Sequence, residues 1–159
     1  MIELLKLLEE NARISNSELA ILAGMSEEEV ENKIKEFEED GTIVGYPALI
    51  DWDKTDRDYV TALIEIKVAP QKDKGFDDVA NQIANFSEVE SVYLMSGGFD
   101  LMAVVDGKTM RDVAMFVSAR LSTLSGVTGT ATHFVLRKYK EGGKSFSDLT
   151  TDERGFAGV

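Results

Sequence analysis

The sequence predicts an α+β chain in two parts: an N-terminal helix-turn-helix (winged-helix-like) unit and a C-terminal ferredoxin-like β-α-β-β-α-β unit. Three observations carry that prediction. Residues 1–41 hold three segments of helical apolar spacing, separated by Asn11-Ala12-Arg13 and by Gly24-Met25-Ser26. Residues 59–139 alternate between period-two runs and helical stripes. A polar stretch over residues 51–58, from Asp51 to Asp58, parts the two patterns. A chain of 159 residues accommodates one large domain or two small ones. The expected organisation is a first domain over 1–50, a linker over 51–58, a second domain over 59–140 and a tail over 141–159.

Leu4, Leu5, Leu7 and Leu8 recur at helical spacing, which predicts a helix over about residues 2–10. Ser15 or Asn16 caps a second helix that runs to about Ala23 and is expected to bury Leu19, Leu22 and Ala23. Gly24 ends it, as a residue free to take positive φ. Ser26 and Glu29 form an S-x-x-E capping box for a third helix. Its Val30, Ile34 and Phe37 fall at i, i+4 and i+7 and face the core. Gly41 stops it. Residues 42–50, TIVGYPALI, read as a short strand interrupted by Gly45 and Pro47.

In the second part, Val60, Ala62, Ile64, Ile66 and Val68 share one face of a strand over 59–68. Phe76, Val79, Ala80, Ile83 and Phe86 form a helical stripe. A strand over 89–95, the hairpin turn Ser96-Gly97-Gly98 and a strand over 99–105 follow. Met110, Val113, Ala114, Val117, Leu121 and Leu124 make a second stripe, ended by Gly126, before a long strand over 127–139. Right-handed crossovers place both helices on one face of the sheet. Leu63, Met95, Met102, Val104, Phe134 and Leu136 have the parity of the bare face. Such an apolar patch marks a protein interface, so the sheets are expected to pack together in a dimer. The Gly- and polar-rich tail over 141–159 is expected to be mobile or strapped over a neighbour.

Several function classes are excluded or disfavoured. No apolar run approaches the roughly 18 residues of a spanning helix, and the first residues show no basic-then-apolar leader. A cytoplasmic location without a membrane partner is therefore expected. The absence of cysteine excludes disulfide and thiol chemistry. His133 is the single histidine; it shares parity with Ala131 and Val135, as a core or interface histidine would. One histidine and no cysteine disfavour zinc, and nothing else completes a Ser/His/Asp set. Asp51, Asp53, Asp56 and Asp58 lack the central Gly and terminal Glu of an EF-hand, and no P-loop or dinucleotide fingerprint occurs. The expectation is a non-enzyme with no catalytic residue, no metal and no cofactor.

Specific short segments occur in a telling order. They are Arg13-Ile14-Ser15 with Glu18-Leu19-Ala20, then Gly24-Met25-Ser26, then residues 41–46 leading to Ile50-Asp51. In the second part they are Ser96-Gly97-Gly98-Phe99-Asp100-Leu101 and residues 126–132. Over residues 1 to about 140 the chain resembles the Lrp/AsnC (feast/famine) family of bacterial and archaeal transcription regulators. The resemblance implies dimers that assemble further, to octamers, on double-stranded promoter DNA. It also implies an amino acid or related metabolite bound between dimers by the second domain. The family's effector turn, T/S-G-x-x-D, matches Ser96, Gly97 and Asp100, and the facing wall matches Thr128, Thr130 and Thr132. The chemistry agrees. Asp100 suits an ammonium, backbone N–H groups around Gly97 and Gly98 suit a carboxylate, and Tyr93 stands on the preceding strand. The same residues also have a structural reading: a tight turn, its cap, and threonines that favour strands.

The candidate DNA contacts are Arg13, Ser15, Asn16, Ser26, Glu28, Glu31, Asn32, Lys33 and Lys35. Here the sequence departs from the family. The third helix carries seven glutamates against two lysines, and residues 1–50 hold −8 of the net charge of −12. Phosphate contacts supply most non-specific DNA affinity, so weak non-specific binding is expected. Carboxylates still accept from cytosine N4, and asparagine reads adenine. Glu27, Glu28 and Glu29 also complement the helix dipole. The alternative is a small-molecule-sensing or scaffold oligomer of the same fold without strong DNA binding.

Overall fold

Three helices build the first unit: α1 (Ile2–Glu10), α2 (Asn16–Ala23) and α3 (Glu27–Glu39). The computed structural model describes residues 2–69 and 75–146, and the chain divides into two units between Leu49 and Ile50. The Ser15 hydroxyl accepts from the Glu18 N–H at 3.2 Å and starts α2. Gly24 closes it at φ 66°, a left-handed conformation that a Cβ would strain. At α3 the Glu29 N–H donates to Ser26 Oγ at 3.2 Å, and the Ser26 N–H donates to Glu29 Oε2 at 2.8 Å. That backbone bond, helped by the Ser26 hydroxyl, holds the Glu29 carboxyl below its usual pKa. The cap is therefore complete above the ordinary carboxylate range and weakens as pH falls through the lowered value. Replacing Ser26 by alanine is expected to cost about 1 kcal/mol, read as a lower urea midpoint for the first unit.

Leu4, Leu8, Leu19, Ala20, Val30 and Phe37 form the core of this unit, with Ile34 packed at its margin. Two expectations are corrected. Leu22 is 55% exposed. On α2 the inner line runs through Leu19, Ala20 and Ala23, and i+3 carries Leu22 round to solvent. Residues 42–50 form no strand. Over 44–50 the backbone makes no backbone–backbone hydrogen bond among the described residues, and Val44 is 96% exposed. A strand exists only where a neighbour answers its N–H and C=O groups, and the first unit offers none. The segment is tethered instead by the Ile43 N–H to the Phe37 carbonyl and by the Tyr46 hydroxyl to Glu38 at 2.8 Å.

The second unit opens with a 3-10 turn, Trp52–Lys54. It continues as β1 (Val60–Val68), α4 (Asp77–Ala84), β2 (Val89–Leu94), β3 (Leu101–Gly107), α5 (Met110–Phe116) and β4 (Val127–Phe134). The four strands form one antiparallel sheet in the order β2-β3-β1-β4. Ala62, Ile64, Ile66, Leu101, Ala103 and Val105 face the helices, which answer with Val79, Ile83, Val113, Phe116 and Leu121. After Phe116 the helix widens by a π turn over Val117–Leu121, in which the Ser122 N–H reaches the Val117 carbonyl at 2.8 Å. Adjacent Phe116 and Val117 both point inward at this turn, while Met110, expected in the stripe, is the first residue of α5 and is 51% exposed. The last strand stops at Phe134 rather than 139. A small hairpin of β5 (Lys140–Glu141) and β6 (Lys144–Ser145) occupies the start of the predicted tail. Residues 147–159 of that tail lie outside the described residues.

The parity of β4 is the main correction. Phe134 pairs with Ala62 and packs against the helix-side core, so it does not belong to the bare face. The odd-numbered residues face the other way. His133 sits opposite Leu63, its side chain 57% exposed and its Nε2 3.2 Å from Glu65 Oε1. It is an open-face residue, not a core one. Leu63, Met102 and Val104 do lie on the open face, by their pairing with one another and with Glu65. Met95 and Leu136 fall beyond the strand ends.

Candidate functional site

The turn Gly24-Met25-Ser26 holds α2 and α3 in the helix-turn-helix arrangement, and the structure sorts the predicted DNA contacts by availability. Ser15 and Ser26 are engaged as helix caps. Lys33 pairs with Glu36, and Lys35 pairs with Glu39 at 3.8 Å. Both ammonium groups of the reading helix are thus held by carboxylates of the same helix. Glu28, Glu31 and Asn32 are exposed, and Arg13 stands exposed ahead of α2. Asn16 is half-buried at the start of α2. The helix itself brings Glu28, Asn32 and Lys35 onto one line at i, i+4 and i+7, opposite buried Val30 and Phe37.

The second candidate site lies at the end of β1. The Met95 N–H donates to the Asp100 carbonyl at 2.8 Å and closes the loop containing Ser96, Gly97 and Gly98. Gly97 takes φ 135°, open to glycine and rarely to other residues. Beside a register shift between Lys67 and Val68, the Val68 N–H donates to Asp100 Oδ2 at 2.8 Å. The Thr128 hydroxyl donates to the Lys67 carbonyl at 3.2 Å. Asp100 and Thr128 thus stand on opposite edges of the end of β1, one taking the N–H and the other the carbonyl of a single peptide group, where each holds the backbone.

The remaining predicted effector residues do not converge on Asp100 either. Tyr93 pairs with Met102 on the open face. Thr130 and Thr132 pair with Ile66 and Ile64, which places them on the helix side. Thr130 Oγ1 lies 3.4 Å from Ser122 Oγ. The thickness of the sheet separates Tyr93 from these two threonines, so one copy does not close a pocket from the whole set.

Sequence reasoning passed over Glu65 and Lys67. Together with Gly129, Thr130 and Ala131 they line a depression of about 280 Å³ over β1 and β4. The available signal was a pair of opposite charges two residues apart on an otherwise apolar strand, which puts both on one face.

Residues 2–44 match the family model of a winged helix-turn-helix DNA-binding domain, and residues 61–145 match that of the Lrp/AsnC ligand binding domain. The chain belongs to the Lrp/AsnC family. Its relatives in Lrp/AsnC include the uncharacterized HTH-type transcriptional regulator YugG of Bacillus subtilis. That protein is 48% identical over 153 residues, covering 96% of this chain and 92% of its own. The HTH-type transcriptional regulator LrpA of Pyrococcus abyssi is 31% identical over 137 residues, covering 86% of this chain and 94% of its own. Among solved structures, a transcriptional regulator of Neisseria meningitidis in complex with L-Met superposes with a TM-score of 0.69 at 26% identity, covering 88% of this chain and 90% of that one. As an Lrp/AsnC member, the chain is a ligand-responsive, DNA-binding transcription regulator: α1 to α3 form its DNA-binding unit and the four-stranded sheet its ligand-binding unit.

Proposed function

We propose that this regulator binds double-stranded promoter DNA as a homo-oligomer, a dimer that assembles to an octamer, and that an amino acid held at the loop around Gly97 changes that assembly or its DNA affinity. The observation that carries the reading is the placement of Asp100 at the end of β1, at the close of the loop that contains Gly97 and Gly98. An amino acid offers an ammonium for the carboxylate and a carboxylate for the backbone N–H groups beside Gly97 and Gly98. The separation of Tyr93 from Thr130 and Thr132 supports a site completed by a second copy. The L-Met complex of the Neisseria relative supports an amino acid as the ligand class. Such a ligand acts allosterically only by binding one assembly better than another.

This reading involves no catalytic step; the single histidine, His133, pairs with Glu65 on the open sheet face. No helix of the described residues is long and apolar enough to cross a membrane, and a promoter target places the protein in the cytoplasm. Binding to the gene's own promoter, followed by fluorescence anisotropy, is expected to weaken between about 50 and 200 mM salt. No binding at the lower salt sinks the regulator reading. Light scattering is expected to give a mass above the 17.5 kDa chain, and a monomer refutes sheet packing. A second reading, an oligomer that senses a small molecule without strong DNA binding, is favoured by one observation: both lysines of α3 are ion-paired within the helix.

A further inference from the structure

We propose that Glu28 and Asn32 select the bases of the operator, taking the major-groove amino groups of a cytosine and of an adenine. The inference rests on the DNA-binding reading of α2 and α3. In a helix-turn-helix the N-terminal half of the second helix faces the base edges. On α3, at 100° per residue, Glu28 and Asn32 stand about 20° either side of the point opposite Val30, with Glu31 about 80° off it. They are the two outermost groups of the first turns.

Neither is tied up by a neighbouring side chain. Ser26 and Glu29 are committed to each other as a capping box, and Lys35 and Glu39, further along the same outer line, form an ion pair. The side chains of Glu28 and Asn32 are exposed and make no hydrogen bond or ion pair within the chain among the described residues.

Their chemistry then decides what they accept. An ionised carboxylate is acceptor-only and is repelled by phosphates, so the partner it finds in the major groove is an amino hydrogen; cytosine N4 presents one. Asparagine pairs bidentately with adenine through N6 and N7. Four residues at a rise of 1.5 Å put the two side chains about 6 Å apart along the helix, the separation of about two base pairs. A cytosine and an adenine about two base pairs apart are therefore expected in each half-site.

The test enriches random duplexes on the full-length protein at low salt and then measures affinity for single-base variants of the enriched sequence. The expected result is a cytosine and an adenine at that spacing. Glu28→Ala should lower the preference for the cytosine about fivefold or more, while affinity for unrelated DNA rises because a charge facing the phosphates is gone. Asn32→Ala should flatten the adenine position alone. A motif without this pair, or base preferences unchanged in both variants when circular dichroism shows them folded, overturns the inference and leaves DNA binding standing. Absence of any binding or enrichment by the wild-type protein removes the DNA reading together with it.

Discussion

Replacing Glu36 and Glu39 together by glutamine raises affinity for unrelated duplex DNA roughly tenfold at about 50 mM salt. The two carboxylates hold Lys33 and Lys35, the only basic side chains of α3. Their removal frees two ammonium groups and takes two negative charges from residues 1–50, which carry −8 of the chain's charge. Each new phosphate contact releases counterions, so the slope of log K against log salt steepens by about 1.8 for two contacts. Stability changes little, by under about 1 kcal/mol, because exposed ion pairs contribute little. Anisotropy titrations across a salt series check both numbers. An unchanged slope shows that these lysines do not reach phosphates, and Arg13 then becomes the leading candidate for backbone contact.

At Asp100, two substitutions separate structure from recognition. Asp100→Ala leaves the Val68 N–H, its partner at 2.8 Å, without an acceptor in a part-buried position. The expected cost is about 1–3 kcal/mol. Asp100→Asn keeps a carbonyl acceptor for that N–H and is expected to cost under about 1 kcal/mol, while it removes the charge an ammonium requires. Both variants are expected to lose the thermal shift that an amino acid produces in the wild-type protein. If the asparagine variant keeps that shift, the ammonium is held elsewhere, and Glu65 beside Lys67 in the depression over β1 and β4 is the next carboxylate to replace.

Much of the fold was legible because its determinants are local. The caps at Ser15 and Ser26, the stop at Gly24 and the inner line Val30, Ile34 and Phe37 follow from 3.6-residue geometry and from unsatisfied N–H groups at helix starts. The buried face of β1 and the stripe of α4 follow in the same way from their periods. The candidate sites were less legible. That Ser26 and Lys33 are engaged within α3 follows from side-chain rotamers and neighbours, which a list of candidate DNA contacts does not contain. Thr130 and Thr132 enter the set through the family resemblance, as its facing wall, and Tyr93 through its place on the preceding strand. Alternation shows which residues of one strand share a face, but not which face of a weakly apolar strand meets the helices.

By itself, then, the sequence determined the two-unit organisation, the order of helices and strands, the family resemblance and the acidic outer face of α3. Only the tertiary structure decided three things. Residues 44–50 stay unpaired, since a strand depends on a partner remote in sequence. Phe134 and the even threonines of β4 turn toward the helices, since strand register is set by pairing with β1. Asp100 meets Val68, since the pairing of β1 with β3 ends at Ile66 and Leu101 and the next N–H of β1 on that edge is taken by the Asp100 carboxylate. Each is a non-local contact, formed when separate segments are brought together, and no period in a single segment encodes it.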